Sequence, residues 1–292
     1  MEYVEPNVVF RRGALNSAGY MKRSSDSTKI QWDLDRVDEH SMKFDNHYSP
    51  AGMGSGVDVY VIDTGINYDH DDFGGRAHYA GLDVIDKLTG SERRGSDCNG
   101  HGTHCAGTVG GKTYGIAKDV RLFSLRALDC SGTGSVDGIV IAMDHVIAEH
   151  KKEDGKKHKV VSLSLGIKKN KVLNTAIKKG EEAGIVVVSA AGNQGGDSCK
   201  YSPASADAGI AVGATDSHDR VPDFSNAGRC VELYAPGYHI TSASNECNEC
   251  TLTKSGTSMA NPHVAGAAAI VLQVRNGGTG QVLEIVHICW MT

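Results

Sequence analysis

Three residues, far apart in the chain, carry side chains that could perform hydrolytic chemistry together. Asp63 lies in "YVIDTGI", His101 in "DCNGHGTHCAGTVGG" and Ser258 in "SGTSMANPH". A hydroxyl is a poor nucleophile at neutral pH and needs a base. An imidazole, with an ordinary pKa near 6.5, suits that task. The imidazole in turn needs a carboxylate that fixes its tautomer and stabilises the imidazolium. The chain order Asp, His, Ser is one of three known solutions to this geometry. A fourth group completes the set: Asn193, in "SAAGN", has an amide able to donate to a developing oxyanion beside the Ser258 N–H. Each residue also has a plainer reading. Taken alone, Ser258 fits a helix cap better than a nucleophile, Asp63 fits a turn, and His101 is one of thirteen histidines. Only the combination points to acyl transfer.

The elements that must position these groups are also legible. Gly256 and Thr257 read as a turn and an alanine-rich run follows, with Pro262 close behind. Proline is tolerated in a first turn, so the helix is expected to start near Ser258, where unpaired N–H groups and about half a positive charge collect. Glycines around His101 let backbone and substrate approach closely. Asp63 ends "VDVYVI" (57–62), which is apolar on both parities and so reads as a strand buried on both faces. "DVRLFSLRAL", "KVVSLSLG", "GIVVVSAAGN" and "GIAVGATD" are further short strands, with helical stretches at 136–150 and 171–183 between them. This alternation predicts an α/β fold with a doubly wound, mostly parallel sheet and a site at the carboxyl ends of its strands. "YVEPNVVF", within residues 1–12, reads as a short strand. Residues 13–30 are polar, small and aperiodic and read as an exposed linker, and "KKEDGKKHK" (151–159) reads as a solvated loop.

Composition sets the outer bounds. A chain of 292 residues, 40 % hydrophobic with 36 glycines, suits a large, compact, loop-rich α/β core. A net charge of −5 argues against nucleic acid or an anionic membrane as the main partner. No apolar run reaches the roughly 18 residues of a membrane span. "MEYVEPNVVF" shows no signal peptide, whereas eight cysteines suggest an oxidising compartment.

"VIDTGI", "NGHGTHCAGTV", "AAGN" and "SGTSMANPHVAG" closely resemble the subtilisin-like serine endopeptidases, in particular the proteinase K branch. The resemblance runs from about Gln31 to at least Gln273 and includes "SLSLG", "YSPAS", "VGATD" and "FSNAG". It implies a three-layer subtilisin-like fold and peptide-bond hydrolysis through an acyl-enzyme, with Asp63, His101 and Ser258 as the triad and Asn193 as the oxyanion donor. It implies two substrate-pairing edges, "SGTG" (131–134, with Gly132, Thr133 and Gly134) and "SLG" (Ser164, Leu165, Gly166). Ala190, Ala191 and Gly192 would floor the P1 pocket, and their small size predicts a broad preference for apolar or aromatic P1 residues. Ile167 departs from the family pattern, where a second glycine is usual, and is expected to narrow a neighbouring subsite.

The same resemblance gives the termini a meaning. Residues 1–12 look like the last strand of an inhibitory prodomain, 13–30 like the processing region and 31–292 like the peptidase domain, ending short of its relatives at "VHICWMT". A secreted, monomeric product is expected, with its own prodomain as inhibitor and folding chaperone. Maturation is expected between about Arg12 and Lys29, by self-cleavage or by another protease at Arg11-Arg12 or Lys22-Arg23. The cysteine separations match relatives for Cys98–Cys130 and Cys199–Cys230. "CNEC" (Cys247, Cys250) suits a small-ring disulfide better than zinc, which needs about four ligands. Cys105, four residues after His101 on one helical face, is expected to be free and beneath the imidazole. Cys289 has no evident partner. No cofactor is needed for catalysis. A structural calcium ion is expected at Glu232, where relatives carry aspartate, with the carbonyls of Asp207 and Gly209. The alternative functions are a prodomain-retaining binding protein with little turnover and a truncated chain that does not fold.

Overall fold

The computed structural model describes residues 9–11, 18–22, 30–39 and 41–275. Arg12 and Arg23 of the two dibasic pairs, Cys289 and the C-terminal "VHICWMT" lie outside the described residues. In chain order the strands are β1 (Val9–Arg11), β2 (Ala18–Lys22), β3 (Asp58–Asp63), β4 (Ala77–Tyr79), β5 (Arg121–Arg126), β6 (Thr133–Ser135) and β7 (Lys159–Leu163). They continue with β8 (Ile167–Lys168), β9 (Val186–Ala190), β10 (Tyr201–Ser202), β11 (Ile210–Thr215), β12 (Leu233–Pro236), β13 (Ile240–Ala243) and β14 (Cys250–Lys254). The helices are α1 (Trp32–Val37), α2 (Val84–Thr89), α3 (His101–Gly110), α4 (Val136–Lys152), α5 (Lys171–Glu182) and α6 (Thr257–Arg275).

Seven strands form a parallel sheet in the order β12-β11-β9-β7-β3-β5-β4. The two-parity apolar pattern of β3 has a direct cause. Val59 and Val61 point into a core shared with α3 and α6, and Tyr60 and Ile62 into a second core shared with α4 and α5. Each fully buried Val or Ile contributes roughly 1.5–3 kcal/mol. From β3 the chain winds first toward β4 and β5 and then back through β7, β9, β11 and β12. Loops therefore diverge on either side of β3, opening a crevice at its carboxyl end. Asp63 ends β3, Ser164 follows β7 and Ala190 ends β9, so all three strands deliver residues to that crevice.

Four sequence expectations need correction. The helix expected at 136–150 runs on to Lys152, and the loop after it is not wholly solvated: Lys159 is buried, with its amine 2.7 Å from Glu153 Oε2 and 3.7 Å from Asp58 Oδ2. Residues 13–30 are not all linker, since β2 adds antiparallel to β14. Ile167 does not wall a subsite; it is buried in the α4/α5 core. Pro262 sits past the first turn of α6, which starts at Thr257. A proline there deprives the Ser258 carbonyl of its helical N–H donor. That carbonyl instead accepts from Ser164 Oγ at 2.9 Å and Cys105 Sγ at 3.5 Å. The helix defect is thus repaired by two side chains from other elements.

Candidate active site

His101 opens α3 and lies against the end of β3. Its Nδ1 is 2.7 Å from Asp63 Oδ1 and 2.8 Å from Oδ2, and both residues are buried. A carboxylate at Nδ1 fixes the proton there and presents Nε2 as the basic nitrogen. Asp63 is itself oriented by the Thr64 N–H, 2.7 Å from Oδ1. Close approach of α3 to the β3 loop requires Gly102, because a Cβ there would meet Gly65 O at 2.1 Å.

The N-terminus of α3 is capped from a distance. Gly100 has no side chain to cap it, and the buried Asp97 does so instead. Its Oδ1 accepts from Asn99 N, Gly100 N and Thr64 Oγ1, each at 2.9 Å. Its Oδ2 accepts from Thr103 N at 3.0 Å and Thr103 Oγ1 at 2.6 Å. Thr64 Oγ1 closes the ring by accepting from Gly102 N at 2.9 Å. The loop that carries Asp97 is held by the Cys98–Cys130 disulfide and by Arg126, buried between Asp83 and Asp86 at 2.8 and 2.7 Å. Partial burial raises the Asp86 pKa, but hydrogen bonds from Ser91 and the backbone, with the Arg126 charge, bring it down to about 2.

Ser258 lies in the first turn of α6. Its Oγ donates to Ser164 O at 3.1 Å, while Ser164 Oγ returns a bond to Ser258 O. Asn261 Nδ2 fixes Ser164 Oγ at 2.9 Å. Asn193 Oδ1 accepts from Thr257 N at 2.8 Å and Thr257 Oγ1 at 2.9 Å, which leaves its Nδ2 as the outward donor. A Cβ on Gly256 would stand 3.4 Å from Asn193 Nδ2 and 3.7 Å from Ser258 N, so both donors border one small space. Cys105 Sγ lies 3.9 Å from each ring nitrogen of His101 and 3.5 Å from Ser258 O. One sulfur atom therefore touches both halves of the site.

The neighbouring histidines are disqualified as bases. His104 Nε2 donates to the carbonyls of Ile240 and Leu252, at 3.1 and 2.9 Å, and full burial holds its pKa well below the usual imidazole range. His263 is fully buried between Met259 O at 2.8 Å and Asp33 Oδ2 at 3.0 Å.

The subtilase family model matches residues 54–288. The chain belongs to the subtilase family. It is similar to an extracellular serine proteinase of Thermus sp. (strain Rt41A), with 48% identity over 242 residues, covering 83% of this chain and 57% of that protein. It is also similar to alkaline serine exoprotease A of Vibrio alginolyticus, with 42% identity over 288 residues, covering 99% of this chain and 51% of that protein. The chain thus spans little more than half the length of these curated relatives. The crystal structure of a cold adapted subtilisin-like serine proteinase superposes with a TM-score of 0.82 at 41% identity, over 90% of this chain and 92% of that one.

The subtilase fold places the remaining sequence-singled residues as follows. Gly132 precedes β6, which contains Thr133 and Gly134 and receives β1 antiparallel, Val9 opposite Ser135 and Arg11 opposite Thr133. Ser164 and Leu165 are buried, and a Cβ on Gly166 would meet nothing closer than Ser202 O at 3.6 Å. Ala190 and Ala191 are buried, and Gly192 N donates to Thr257 Oγ1 at 3.1 Å, tying that segment to the turn before Ser258. The disulfides Cys98–Cys130, Cys199–Cys230 and Cys247–Cys250 are present, and Cys105 is a buried thiol outside any disulfide. Among the described residues no helix is long and apolar enough to cross a membrane.

Glu232 Oε2 accepts from Ala211 N at 2.6 Å, at the start of β11 and two residues after Gly209. A second acidic group, Asp35, Glu39 and Asp45, has ligand atoms within 4.8 Å of one another. Neither that trio nor Asp97 and Thr64 belongs to the motif residues singled out from the sequence.

Proposed function

We propose that this chain hydrolyses peptide bonds by acyl transfer. The observation that carries the reading is the convergence of His101, Asp63 and Ser258 around Cys105, with Asn193 Nδ2 and Ser258 N beside one small space. In this mechanism Ser258 Oγ attacks the scissile carbonyl as its proton passes to His101 Nε2. Asp63 stabilises the resulting imidazolium. Asn193 Nδ2 and the Ser258 N–H donate to the oxyanion. Collapse breaks the C–N bond, and His101 returns the proton to the leaving amine. Water then cleaves the acyl-enzyme by the same route.

Extended peptides and proteins are the substrates we propose, with β6 and the Ser164–Gly166 segment pairing the residues before the scissile bond. The small, buried Ala190 and Ala191 support an apolar or aromatic P1 residue. Action outside the cell is supported by three disulfides and by a relative named an extracellular proteinase. Residues 1–12 are read as the end of an inhibitory segment, supported by the seating of β1 on β6. A calcium ion is proposed at Glu232 with the carbonyls of Asp207 and Gly209; hard oxygen donors near one strand end support it.

Ser258→Ala is expected to abolish hydrolysis of an apolar chromogenic peptide while circular dichroism stays unchanged; activity within tenfold of the parent would remove Ser258 as nucleophile. Asn193→Ala is expected to lower kcat by roughly two to three orders of magnitude with little change in KM, as loss of an oxyanion donor does elsewhere.

A small mercurial is expected to inhibit by binding Cys105 and displacing the imidazole above it. Cys105→Ala should stay active and lose that sensitivity. Equal inhibition of both proteins would place the reactive thiol elsewhere.

Chelation of calcium is expected to lower Tm in the parent, and Glu232→Gln to lower it similarly and abolish the response to added calcium. A Tm indifferent to calcium in the parent would refute the site.

A further inference from the structure

The crevice has a second strand-accepting edge. β14 pairs with β13 on one side and receives β2 antiparallel on the other, with Cys250 opposite Lys22, Thr251 opposite Met21 and Thr253 opposite Ala18. A β-irregularity falls between Thr251 and Thr253. Residues 18–22 fall within the stretch expected as linker, and nothing in the acyl-transfer mechanism uses this pairing.

Three observations give the edge a role. The first is polarity. Lys254 stands four residues before Ser258, and its Nζ donates to Gly100 O at 3.4 Å, next to His101. The Thr253 end of β14 is therefore the end near the reacting groups, and Cys250 is the far end. β2 meets the near end first, with Ala18, and leaves along the far end, with Lys22. β1, earlier in the chain, lies on β6. A polypeptide that runs in the same direction enters along β6, passes the site and departs along β14.

The second observation is rigidity. The Cys247–Cys250 disulfide pins the far end of the strand. His70 Nε2 holds Cys250 O at 2.8 Å, and His104 Nε2 holds Leu252 O at 2.9 Å. The hydroxyls of Thr241 and Thr253 meet at 2.8 Å across the β13 side. β14 is thus braced independently of β2. The third is composition. Natural edge strands are blunted by proline, inward charge or extra residues. Over Cys250–Thr253, β14 has neither proline nor charge, and the amine of Lys254 at its end is engaged with Gly100 O.

We infer that the outer edge of β14, over Cys250–Thr253, is a binding edge for the leaving-group side of an extended polypeptide substrate, which it takes as an antiparallel strand. The inference rests on the acyl-transfer reading of the site. It predicts that main-chain hydrogen bonds well past the scissile bond add affinity, largely without regard to side-chain identity.

The test uses the full chain carrying Ser258→Ala, with Phe10→Pro, Gly19→Pro and Met21→Pro added so that β1 and β2 lose strand N–H groups and no longer compete in cis for β6 and β14. Fluorescent peptides share one apolar segment before the scissile bond and extend from about two to about twelve residues after it, enough to span the residues from Arg12 to Lys22. Kd is expected to fall about tenfold as the extension lengthens, a gain worth about 1.4 kcal/mol. N-methylation of alternate amides in the distal part should erase the gain, and N-methylation of the intervening amides should not. A Kd that ignores length, or a gain that N-methylation in neither register removes, overturns the inference. Hydrolysis of the shortest peptide is read separately, in the chain that keeps Ser258 and carries the same three prolines. Its failure beside a length-dependent Kd counts against acyl transfer and leaves the strand edge standing.

Discussion

The site depends on one buried carboxylate that never meets a substrate. Asp97 gathers five donors from three places: the hydroxyl just past β3, the glycine-rich loop, and the first turn of α3. Hydrogen bonds to a charged acceptor are worth about 1.5–3 kcal/mol each, and a buried charge without them would be costly. The loop, the strand end and the helix are consequently held together or not at all. His101 is the first residue of the helix so placed, and Asp63 the last of the strand, which is why an imidazole and a carboxylate 38 residues apart meet at 2.7 Å.

The second half of the site follows a different logic. Pro262 takes a donor away from Ser258 O, and the vacancy is filled by Ser164 from the β7 loop and Cys105 from α3. A defect in α6 therefore becomes the joint that fastens Ser258 to the sheet and to the His101 helix. Small residues make the joint possible. Gly102 lets α3 lie against the β3 loop, and Gly256 keeps open the space bordered by Asn193 and Ser258.

Much of this was legible in the chain itself. Asp63, His101, Asn193 and Ser258 each stand where an element begins or ends, and those boundaries are signalled locally by apolar runs and glycines. The parity of β3 announced two cores, and the i, i+4 spacing placed Cys105 beneath the imidazole. What was not legible involves partners set by tertiary contact. Asp97 reads as one acid in a polar loop until Thr64 and Thr103 are brought to it. Pro262 reads as a first-turn proline because sequence does not reveal the donors that replace its N–H. Lys159 looks solvated until Glu153 and Asp58 close over it, and residues 18–22 look like linker because their pairing partner lies more than 200 residues away.

Asp97 sets His101 against Asp63. The decisive measurement is kcat for an apolar peptide in Asp97→Asn, a substitution that keeps the shape and replaces one acceptor oxygen by a donor. A fall of at least about tenfold in kcat is expected, with KM within about twofold and secondary structure intact, because the transition state alone depends on the imidazole's register. A folded Asp97→Asn protein whose kcat stays within about twofold of the parent would contradict it.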